Sequence, residues 1–366
     1  MKIIQVMPNP PHHRGGVEEL VINLSRALTE KQHLVTVFCM DDSLTSTYKE
    51  EVMEEILIKK FKPLVGNPLC IPPHKLLTDL LNEEGDIIHV HNIHVLLPAF
   101  IARIRRHPSG KVVLQPHYHR YGQNVIRNFL FSVYKKTVLP TILQQFNVII
   151  ANSKYEARCL VEDFPRIASK ITLIPEKCSV KVPSSIRWKS SLQPRKVLYV
   201  GSLRRYKNVD TLLYAFKILN TKWKNLRLVI IGEGQEKKRL LNLAFKLKIQ
   251  DQITWKRRLS YNELLQEYSE ASAVIQLSEL ESFSRVAHEA IAVGTPLVVY
   301  NHGVFRELVE KGLAKGVDKL SAVEVADAIS SVLNDWKVET RRRGFGSASY
   351  VVLIVRVYKA VIGDFY

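Results

Sequence analysis

Two glutamates, Glu281 and Glu289, stand eight positions apart in the segment ELESFSRVAHEAIAVGTPLVVY, and their chemistry suits the binding of hydroxyl groups. A carboxylate accepts hydrogen bonds through two oxygens, so two carboxylates at this spacing could each hold a separate sugar ring. The alternative is that Glu281 stabilises a helix start and that Glu289 lies on a solvated helix face. The segment alone favours neither interpretation.

A helix start lies between the two glutamates and could bind a phosphate. SAVIQLS (272–278) has the composition of a buried strand, ESFS forms a tight connection, and VAHEAIAV has helical spacing. Ser282 or Ser284 could cap this helix. The free N–H groups and the positive dipole end of the helix would then suit an anionic group.

A second motif, VGSLRRYKNVDTLLYAF (200–216), joins a strand end to a helix through a basic loop. Gly201 allows close backbone approach, and three cations in the loop could offset the charge of a diphosphate. These cations are Arg204, Arg205 and Lys207. An exposed basic turn that binds nothing is the alternative.

Glycine turns and histidines follow several other predicted strands. Gly15 and Gly16 come after KIIQVM (2–7), and GEG (232–234) follows LRLVII, but glycine turns are too common to identify a ligand alone. Four histidines lie at or near carboxyl strand ends, where open parallel sheets bind ligands: His89, His91, His117 and His119. A neutral imidazole there could hydrogen-bond a sugar hydroxyl. A zinc site would need more converging ligands, and packing is the usual role of a strand histidine.

Strand-like and helical segments alternate along the chain, which predicts largely parallel sheets covered by helices on both faces. The Ser-, Pro- and basic-rich segment 182–196 interrupts this alternation, which then starts again. Two successive doubly wound units are therefore expected. After residue 343 the pattern favours neither a closing helix nor a strand.

The net charge of +18 over 366 residues favours anionic partners such as nucleotides, phosphates or anionic lipid surfaces. Nucleic acid is not expected as a partner, because the sequence has neither an aromatic–basic RNA motif nor a zinc-finger spacing. The four cysteines are scattered, which argues against a disulfide framework and suits a reducing cytosol.

Two segments mix apolar and basic residues, NVIRNFLFSVYKKTVLP (124–140) and FIARIRRH (100–107). Such segments could lie on an anionic membrane with the apolar face down, although ordinary packing on a sheet is the simpler interpretation. The N-terminus is predicted to be a buried strand rather than a signal peptide, and no apolar run reaches the roughly 18 residues of a membrane span. A cytoplasmic location is expected, with peripheral association at the inner face of the cell membrane as an option.

The spacing Glu281-x7-Glu289 followed by AIAVGTP (290–296) resembles the signature of retaining nucleotide-sugar glycosyltransferases of family 4, the glycosyl transferases group 1. This resemblance implies that Glu281 contacts the donor sugar near the reaction centre and that Glu289 binds the ribose of the nucleotide. Serines stand at 282 and 284, where the family usually has glycines. The amides of three loop residues would meet the donor: Phe283, Ser284 and Arg285.

The basic loop matches the family with one departure. The family pattern has an arginine directly after the glycine and a lysine five positions further on. Lys207 occupies the lysine position, but Ser202 occupies the arginine position. Arg204 or Arg205 could supply the missing guanidinium.

Two motifs of the first half also match. By resemblance, Gly15 and Gly16 form the glycine pair that the donor diphosphate approaches, and His117 is the strand-end histidine that faces the donor sugar and the acceptor. His91 is a weaker candidate, and His119 is assigned no role.

The implied fold is α/β of the GT-B type, with two doubly wound Rossmann-like domains facing each other across a cleft. Residues 1–185 would bind the acceptor and residues 186–347 the donor, and the segment 348–366 could pack back on the first domain. The implied reaction moves a hexose from a nucleoside diphosphate sugar to a hydroxyl of a glycan or lipid-linked acceptor, with retention of configuration, as in polysaccharide biosynthesis.

No cofactor and no metal are expected besides the donor substrate. Asp41-Asp42 is not the DxD motif of metal-dependent glycosyltransferases and is expected to cap a turn. The alternative function is a catalytically inactive protein that binds a nucleotide sugar or serves as a partner subunit, and Ser202 motivates it.

Overall fold

A computed structural model of the chain describes residues 1–11, 15–103, 111–121, 125–175, 182–183, 185–189, 195–257, 259–334 and 348–363. The chain divides into two compact units. The first comprises Met1–Lys177 together with Ala348–Tyr366, and the second comprises Cys178–Ser347. The boundary predicted after residue 185 lies eight residues further along the chain than this division.

The first unit is built on a largely parallel sheet. Its strands are β1 (Lys2–Met7), β2 (Leu34–Met40), β3 (Tyr48–Met53), β4 (Ile56–Phe61), β5 (Ile87–His91), β6 (Lys111–Gln115), β7 (Val148–Ala151) and β8 (Ile171–Leu173). Within the described residues the strand order is β3-β4-β2-β1-β5-β6-β7-β8. All neighbours are parallel except β3 and β4.

Helices cover both faces of this sheet, so its strands are apolar on both sides. The helices before the second unit are α1 (Gly16–Thr29), α2 (His74–Asn82), α3 (Leu97–Arg103), α4 (Val125–Thr137), α5 (Leu139–Leu143) and α6 (Lys154–Asp163). In β1, Ile4 and Val6 enter the core on one face, whereas Ile3 and Met7 enter cores on the other. This two-sided burial explains the nearly continuous apolar runs in the sequence.

The second unit has the strand order of a doubly wound, Rossmann-like sheet. Its strands are β9 (Lys196–Val200), β10 (Arg227–Ile231), β11 (Ile253–Lys256), β12 (Ala273–Gln276), β13 (Leu297–Tyr300) and β14 (Lys315–Val317), and its helices are α7 (Val209–Lys222), α8 (Lys237–Lys246), α9 (Tyr261–Glu270), α10 (Arg285–Val293), α11 (Phe305–Glu310) and α12 (Ala322–Asn334). The order β11-β10-β9-β12-β13-β14 is all parallel and equals 3-2-1-4-5-6 when renumbered. The expectation of two doubly wound α/β units is therefore confirmed.

The neighbouring strands β9 and β12 form the switch point of the second sheet. Connections leave these two strands toward opposite sides, which opens a crevice at their carboxyl ends, and ligands of open α/β sheets bind there. The basic loop follows β9 and the glutamate loop follows β12. The topology therefore brings together two motifs that lie about 75 residues apart in the sequence.

The C-terminal helix α13 (Ala348–Ile362) belongs to the first unit, although it follows the whole second unit in the chain. Ile354 and Tyr358 are fully buried in a cluster that includes Leu24 of α1. The Tyr358 hydroxyl lies 2.6 Å from His89 Nδ1 in the middle of the sheet. The segment after residue 343, for which the sequence favoured neither helix nor strand, thus contains a helix from Ala348 to Ile362, and its apolar side packs in the core of the first unit.

Three short strands escape prediction from the sequence: β3, β8 and β14. β3 (YKEEVM) carries several charged residues and pairs antiparallel at the sheet edge. Charged residues protect an edge strand from pairing with other chains, so the pattern of a buried strand is absent there. β8 and β14 have three residues each, too few to show a period.

Candidate functional site

The centre of the candidate site is an ion pair between Lys207 and Glu281. Lys207 ends a short 3₁₀ helix (Arg205–Lys207) after β9, and its ammonium contacts Glu281 Oε1 in the loop after β12. The two side chains are only 13% and 18% exposed. Burial lowers the pKa of Lys207, but the carboxylate of Glu281 and the nearby Tyr206 outweigh it, so the pKa is raised overall. Lys207 is therefore a firmly charged cation at the switch point.

Backbone and side-chain hydrogen bonds tie the two loops together. The N–H of Glu279 donates to the carbonyl of Tyr206 at 3.0 Å. Asn208, in the left-handed conformation at φ +53°, donates through Nδ2 to the carbonyl of Leu277 at 3.0 Å and to Glu279 Oε2 at 3.1 Å. The position of Lys207 relative to Glu281 is thus fixed by the loops and does not depend on the ion pair alone.

Two glycine turns pack directly against each other beside this pair. Gly201 and Gly232 have φ of +149° and +153°, a conformation that side chains rarely adopt. A Cβ at Gly232 would lie 1.9 Å from the carbonyl oxygen of Gly201, and one at Gly234 would lie 2.2 Å from the carbonyl oxygen of Leu203. The GEG turn after β10 therefore supports the basic loop, which explains why glycine occurs in both turns.

The two arginines of the basic loop differ in exposure. Arg204 is half-buried and its charge acts to lower the pKa of Lys207, so the guanidinium lies near the ammonium, whereas Arg205 is exposed. Ser202 is half-buried, and its carbonyl accepts a hydrogen bond from the Tyr199 hydroxyl at 3.0 Å. Positive charge is therefore concentrated near Lys207 even though Ser202 is uncharged.

In the loop between the two glutamates, the side chains of Phe283 and Ser284 are buried. Ser284 stands at the N-cap position of α10 with φ +61°, but its side chain accepts no capping hydrogen bond. Its Oγ is buried and has no hydrogen-bond partner in the described part of the chain. Phe283 is buried and stacks on His288, with ring centroids 4.0 Å apart. The capping role expected for Ser282 or Ser284 is thus absent from α10 in this structure, and the aromatic ring faces the protein.

Glu289 lies inside the unit and not on a solvated face, since it is only 3% exposed. Its Oε1 accepts a hydrogen bond from Arg285 Nε at 2.9 Å, and its Oε2 accepts one from the Tyr268 hydroxyl at 2.9 Å. The solvated-face alternative is therefore wrong for Glu289. Tyr268, on α9, was not singled out by any sequence motif.

In the first unit, the predicted glycine pair begins helix α1. Gly16 is exposed, and a Cβ there would meet no atom within 4 Å, whereas a Cβ at Gly15 would meet Glu18 Oε2 at 2.2 Å. Glu18 is buried and accepts a hydrogen bond from Asn9 Nδ2 at 2.7 Å. The protein's own packing therefore does not require glycine at 16. His12, His13 and Arg14, which precede this pair, lie outside the described residues.

A cavity of about 150 Å³ opens beyond the carboxyl ends of β1, β2 and β4. Its polar walls are carboxylates, carboxamides and a hydroxyl, supplied by Asn9, Asp41, Asp42, Ser43 and Asn67. Asp41 Oδ1 accepts hydrogen bonds from the N–H of Ser43 at 3.0 Å and from its hydroxyl at 2.6 Å. Asp41 thus caps a turn as expected. In the described ranges no three His, Cys, Asp or Glu side chains are arranged to hold a metal.

Three of the four predicted histidines, His89, His91 and His117, are buried, and His119 is half-buried. His89 and His91 are fully buried, and one ring nitrogen of each is bound, His89 Nδ1 to Tyr358 and His91 Nε2 to Gln5 Oε1 at 2.7 Å. Their other ring nitrogens, His89 Nε2 and His91 Nδ1, have no partner among the described residues. His119 Nδ1 lies 2.6 Å from the carbonyl of Tyr121.

His117 is buried just past β6 with φ +50°, and its Nε2 has no partner among the described residues. Burial lowers its pKa to about 3, so the ring is neutral at pH 7. On its other side, Nδ1 lies 3.1 Å from Asn152 Nδ2, and Asn152 is a second residue that no sequence motif indicated.

Helix α4 exposes apolar side chains beside basic residues. Phe129 is 68% exposed, Leu130 and Val133 are also exposed, and Lys135 and Lys136 lie in the last turn. Among the described residues, no helix is both long enough and apolar enough to cross a bilayer. Lys136 is exposed, whereas the ammonium of half-buried Lys135 lies 2.7 Å from Asp163 Oδ2. An exposed apolar surface beside a lysine is compatible with a helix that lies on an anionic membrane.

Comparison with known protein families identifies both halves of the chain. The model of glycosyl transferases group 1 matches residues 184–348, and the model of glycosyltransferase family 4 matches residues 14–176. A glycogen synthase from Mycobacterium tuberculosis is 34% identical over 370 residues, covering 93% of this chain and 88% of the relative. An uncharacterized glycosyltransferase from Methanocaldococcus jannaschii is 31% identical over 357 residues, covering 92% and 90%.

Solved structures agree with these matches. Sucrose-phosphate synthase from Thermosynechococcus elongatus superposes with a TM-score of 0.73 at 18% identity over the full length of both chains. The catalytic domain of starch synthase IV from Arabidopsis thaliana, bound to ADP and acarbose, gives a TM-score of 0.70 at 12% identity and covers 99% of each chain. The expected GT-B fold is therefore confirmed.

Proposed function

Because this chain belongs to the glycosyl transferases group 1 and is a glycosyltransferase, we propose that it moves a hexose from a nucleoside diphosphate sugar to an acceptor hydroxyl with retention of configuration. The observation that carries the proposal is the half-buried Lys207–Glu281 pair at the switch point of the second unit. A cation and a carboxylate side by side match the two ends of a sugar diphosphate, which offers charged oxygens next to neutral hydroxyls.

The second unit would bind the donor. As the bond between the sugar and the diphosphate breaks, negative charge grows on the leaving phosphate oxygen. Lys207, with Arg204 or Arg205 and the backbone amides around Phe283, Ser284 and Arg285, would stabilise that charge, which is usually the largest single catalytic contribution. Close approach of the diphosphate to backbone would use Gly201 and, in the first unit, Gly15 and Gly16. No protein nucleophile is required by a front-face reaction.

The two glutamates would hold hydroxyl groups. Glu281 would accept hydrogen bonds from the donor sugar, and Glu289 from the ribose of the nucleotide. Glu289 is already fixed by Arg285 and Tyr268, so a ribose would bind to a preorganised carboxylate. His117 would donate to an oxygen of the sugar, and its unpartnered buried nitrogen supports this role.

The first unit would bind the acceptor. The cavity beyond β1, β2 and β4 offers carboxylate and amide groups, which favour a hydroxyl-rich molecule such as a glycan or the head of a lipid-linked glycan. Since α4 exposes an apolar and basic surface, peripheral binding to an anionic membrane at the cytoplasmic side is part of the proposal. Binding to vesicles that contain phosphatidylglycerol should weaken in Phe129→Glu, and unchanged binding would remove this part.

The central test is donor use by the purified full-length protein. Thermal-shift screening against nucleoside diphosphates and their sugars should reveal the donor, because a ligand that binds the folded state raises the melting temperature by mass action. Release of the nucleoside diphosphate with and without glycan acceptors should then be measured, also in the presence of EDTA. Absence of both stabilisation and release across the panel would refute the proposal.

A catalytically inactive nucleotide-sugar-binding protein or partner subunit is the second candidate. It is favoured by Ser202 at the position where the family carries arginine. Donor stabilisation without any release of nucleoside diphosphate would support it. If activity is present but limited by the missing guanidinium, Ser202→Arg should raise turnover.

A further inference from the structure

We propose that Asn152 is a positioning residue that fixes the tautomer of His117, so that His117 presents Nε2–H as a hydrogen-bond donor to the substrate. The proposal rests on the proposed function, in which His117 contacts the donor sugar. It adds a residue that no sequence motif indicates, and it states on which nitrogen of His117 the proton lies.

The side chain of Asn152 bridges two strands of the first unit. Asn152 is fully buried directly after β7, and its Oδ1 accepts a hydrogen bond from Gln115 Nε2 on β6. Gln115 Nε2 also donates to the Tyr350 hydroxyl of α13 at 2.9 Å. Because one end of the Asn152 amide accepts and the other donates, the bond to Gln115 turns the donor end toward His117.

The orientation of Asn152 decides the tautomer of His117. Asn152 Nδ2 lies 3.1 Å from His117 Nδ1, so Nδ1 must be the acceptor nitrogen of the ring. In a neutral imidazole the single proton is then on Nε2. Nε2 is buried without a partner in the described residues, and a buried N–H that lacks an acceptor is costly. A substrate oxygen would supply that acceptor.

The backbone of His117 supports a functional role for this arrangement. The residue has φ +50°, which is uncommon for a residue with a side chain and is unfavourable for the backbone. Such strained positions are concentrated at functional sites. A strained backbone and a fixed tautomer together aim one N–H in one direction.

The fixed tautomer also limits what His117 can do chemically. An Nε2–H group donates to an oxygen but cannot remove a proton from an acceptor hydroxyl. His117 would therefore stabilise charge on a sugar or phosphate oxygen during transfer, and it would not act as a general base through Nε2.

The test measures the tautomer directly and needs no substrate. Full-length protein with ¹⁵N-labelled histidine is studied by long-range ¹H–¹⁵N NMR at pH 7, and the signals of His117 are identified by their loss in His117→Gln. We expect Nε2 at the shift of a protonated ring nitrogen and Nδ1 at that of an unprotonated one. The opposite pattern, with the proton on Nδ1, would overturn the proposal even if the protein is an active transferase.

Substitution of Asn152 should move the proton. In Asn152→Asp both side-chain oxygens accept, so His117 should carry a proton on Nδ1. The backbone N–H of Asn152, which donates to Glu156 at 2.7 Å, is unaffected by this change. Asn147→Asp is the matched control, because Asn147 Oδ1 only accepts from the N–H of Val112, as a carboxylate also can. Retention of the wild-type tautomer in folded Asn152→Asp would contradict the positioning role.

Kinetics then link the tautomer to transfer. With the donor identified by the thermal-shift screen, kcat of Asn152→Asp should fall about 10- to 100-fold, the effect of one lost buried hydrogen bond, with little change in KM for the donor. An unchanged kcat together with a switched tautomer would overturn the catalytic use of Nε2–H. Asn147→Asp should keep the wild-type kcat.

Discussion

Replacing Glu281 with glutamine should separate binding of the nucleoside diphosphate from transfer of the sugar. The substitution keeps the shape of the side chain but removes the charge that neutralises Lys207. We therefore expect the affinity for the nucleoside diphosphate to rise while turnover falls. A residue with a purely structural role would not produce these opposite changes.

The magnitudes follow from the geometry of the pair. For a phosphate bound on the opposite side of the Lys207 ammonium from Glu281, with about 8 Å between the two anions, the repulsion is about 2 kcal/mol at an effective dielectric constant of about 20. The partial exposure of Glu281 reduces this repulsion to about 1 kcal/mol, so affinity should rise about fivefold. Charge-assisted hydrogen bonds to the donor sugar contribute about 1.5–3 kcal/mol, so kcat should fall about 10- to 150-fold.

The assay combines calorimetric titration of the nucleoside diphosphate with initial rates of its release from the sugar donor. Glu310→Gln is the matched control, since Glu310 is an exposed glutamate on α11 of the same unit. It should change neither quantity. Full turnover in folded Glu281→Gln, or a loss of nucleoside diphosphate affinity in that variant, would refute the reasoning.

Three further predictions concern the stability of the two units. Gly232→Ala should lower the denaturant midpoint strongly, because its Cβ would lie 1.9 Å from the Gly201 carbonyl oxygen; an unchanged midpoint would show that the two turns are not packed as described. Tyr358→Phe should cost about 1–3 kcal/mol in chemical denaturation by leaving His89 Nδ1 unpaired, and a neutral effect would count against that hydrogen bond. Burial lowers the pKa of His89 to about 3, with a smaller effect from the charge of His117. Burial also lowers the pKa of His117 to about 3, whereas the ordinary value for histidine is near 6.5. The unfolded chain therefore takes up protons first, and stability should decline as pH falls from about 6.5 toward 3, by up to about 1.4 kcal/mol per pH unit for each ring; a pH profile in His89→Gln as steep as that of the wild type would argue against this contribution.

The sheets and the central pair of the site could be predicted from the sequence because their signals are local. Apolar runs that alternate with amphipathic segments define β1, β9 and β12, and a glycine followed by cations marks the loop of Lys207. Parallel topology then brings Lys207 to Glu281, since both follow strands that are neighbours in the sheet.

The partners that fix these side chains could not be predicted. Tyr268 reaches Glu289 from another helix, and Asn152 reaches His117 from the end of the neighbouring strand, so each contact depends on packing between segments that are separate in the sequence. A polar residue directly after a buried strand, as in NVIIAN, was the only local signal for Asn152. The burial of Glu289 could not be predicted from the sequence either, because a glutamate in a helix is usually exposed to solvent.

The position of α13 has a consequence for how the polypeptide matures. Tyr358 contacts His89 at a sequence separation of 269, and Tyr350 contacts Gln115 at a separation of 235. During synthesis the sheet of the first unit therefore lacks these two hydrogen-bond partners until the entire second unit has emerged from the ribosome. The second unit can therefore finish folding before the first unit does. Deletion of α13 would destabilise the first unit, which contains the amino terminus, rather than the second.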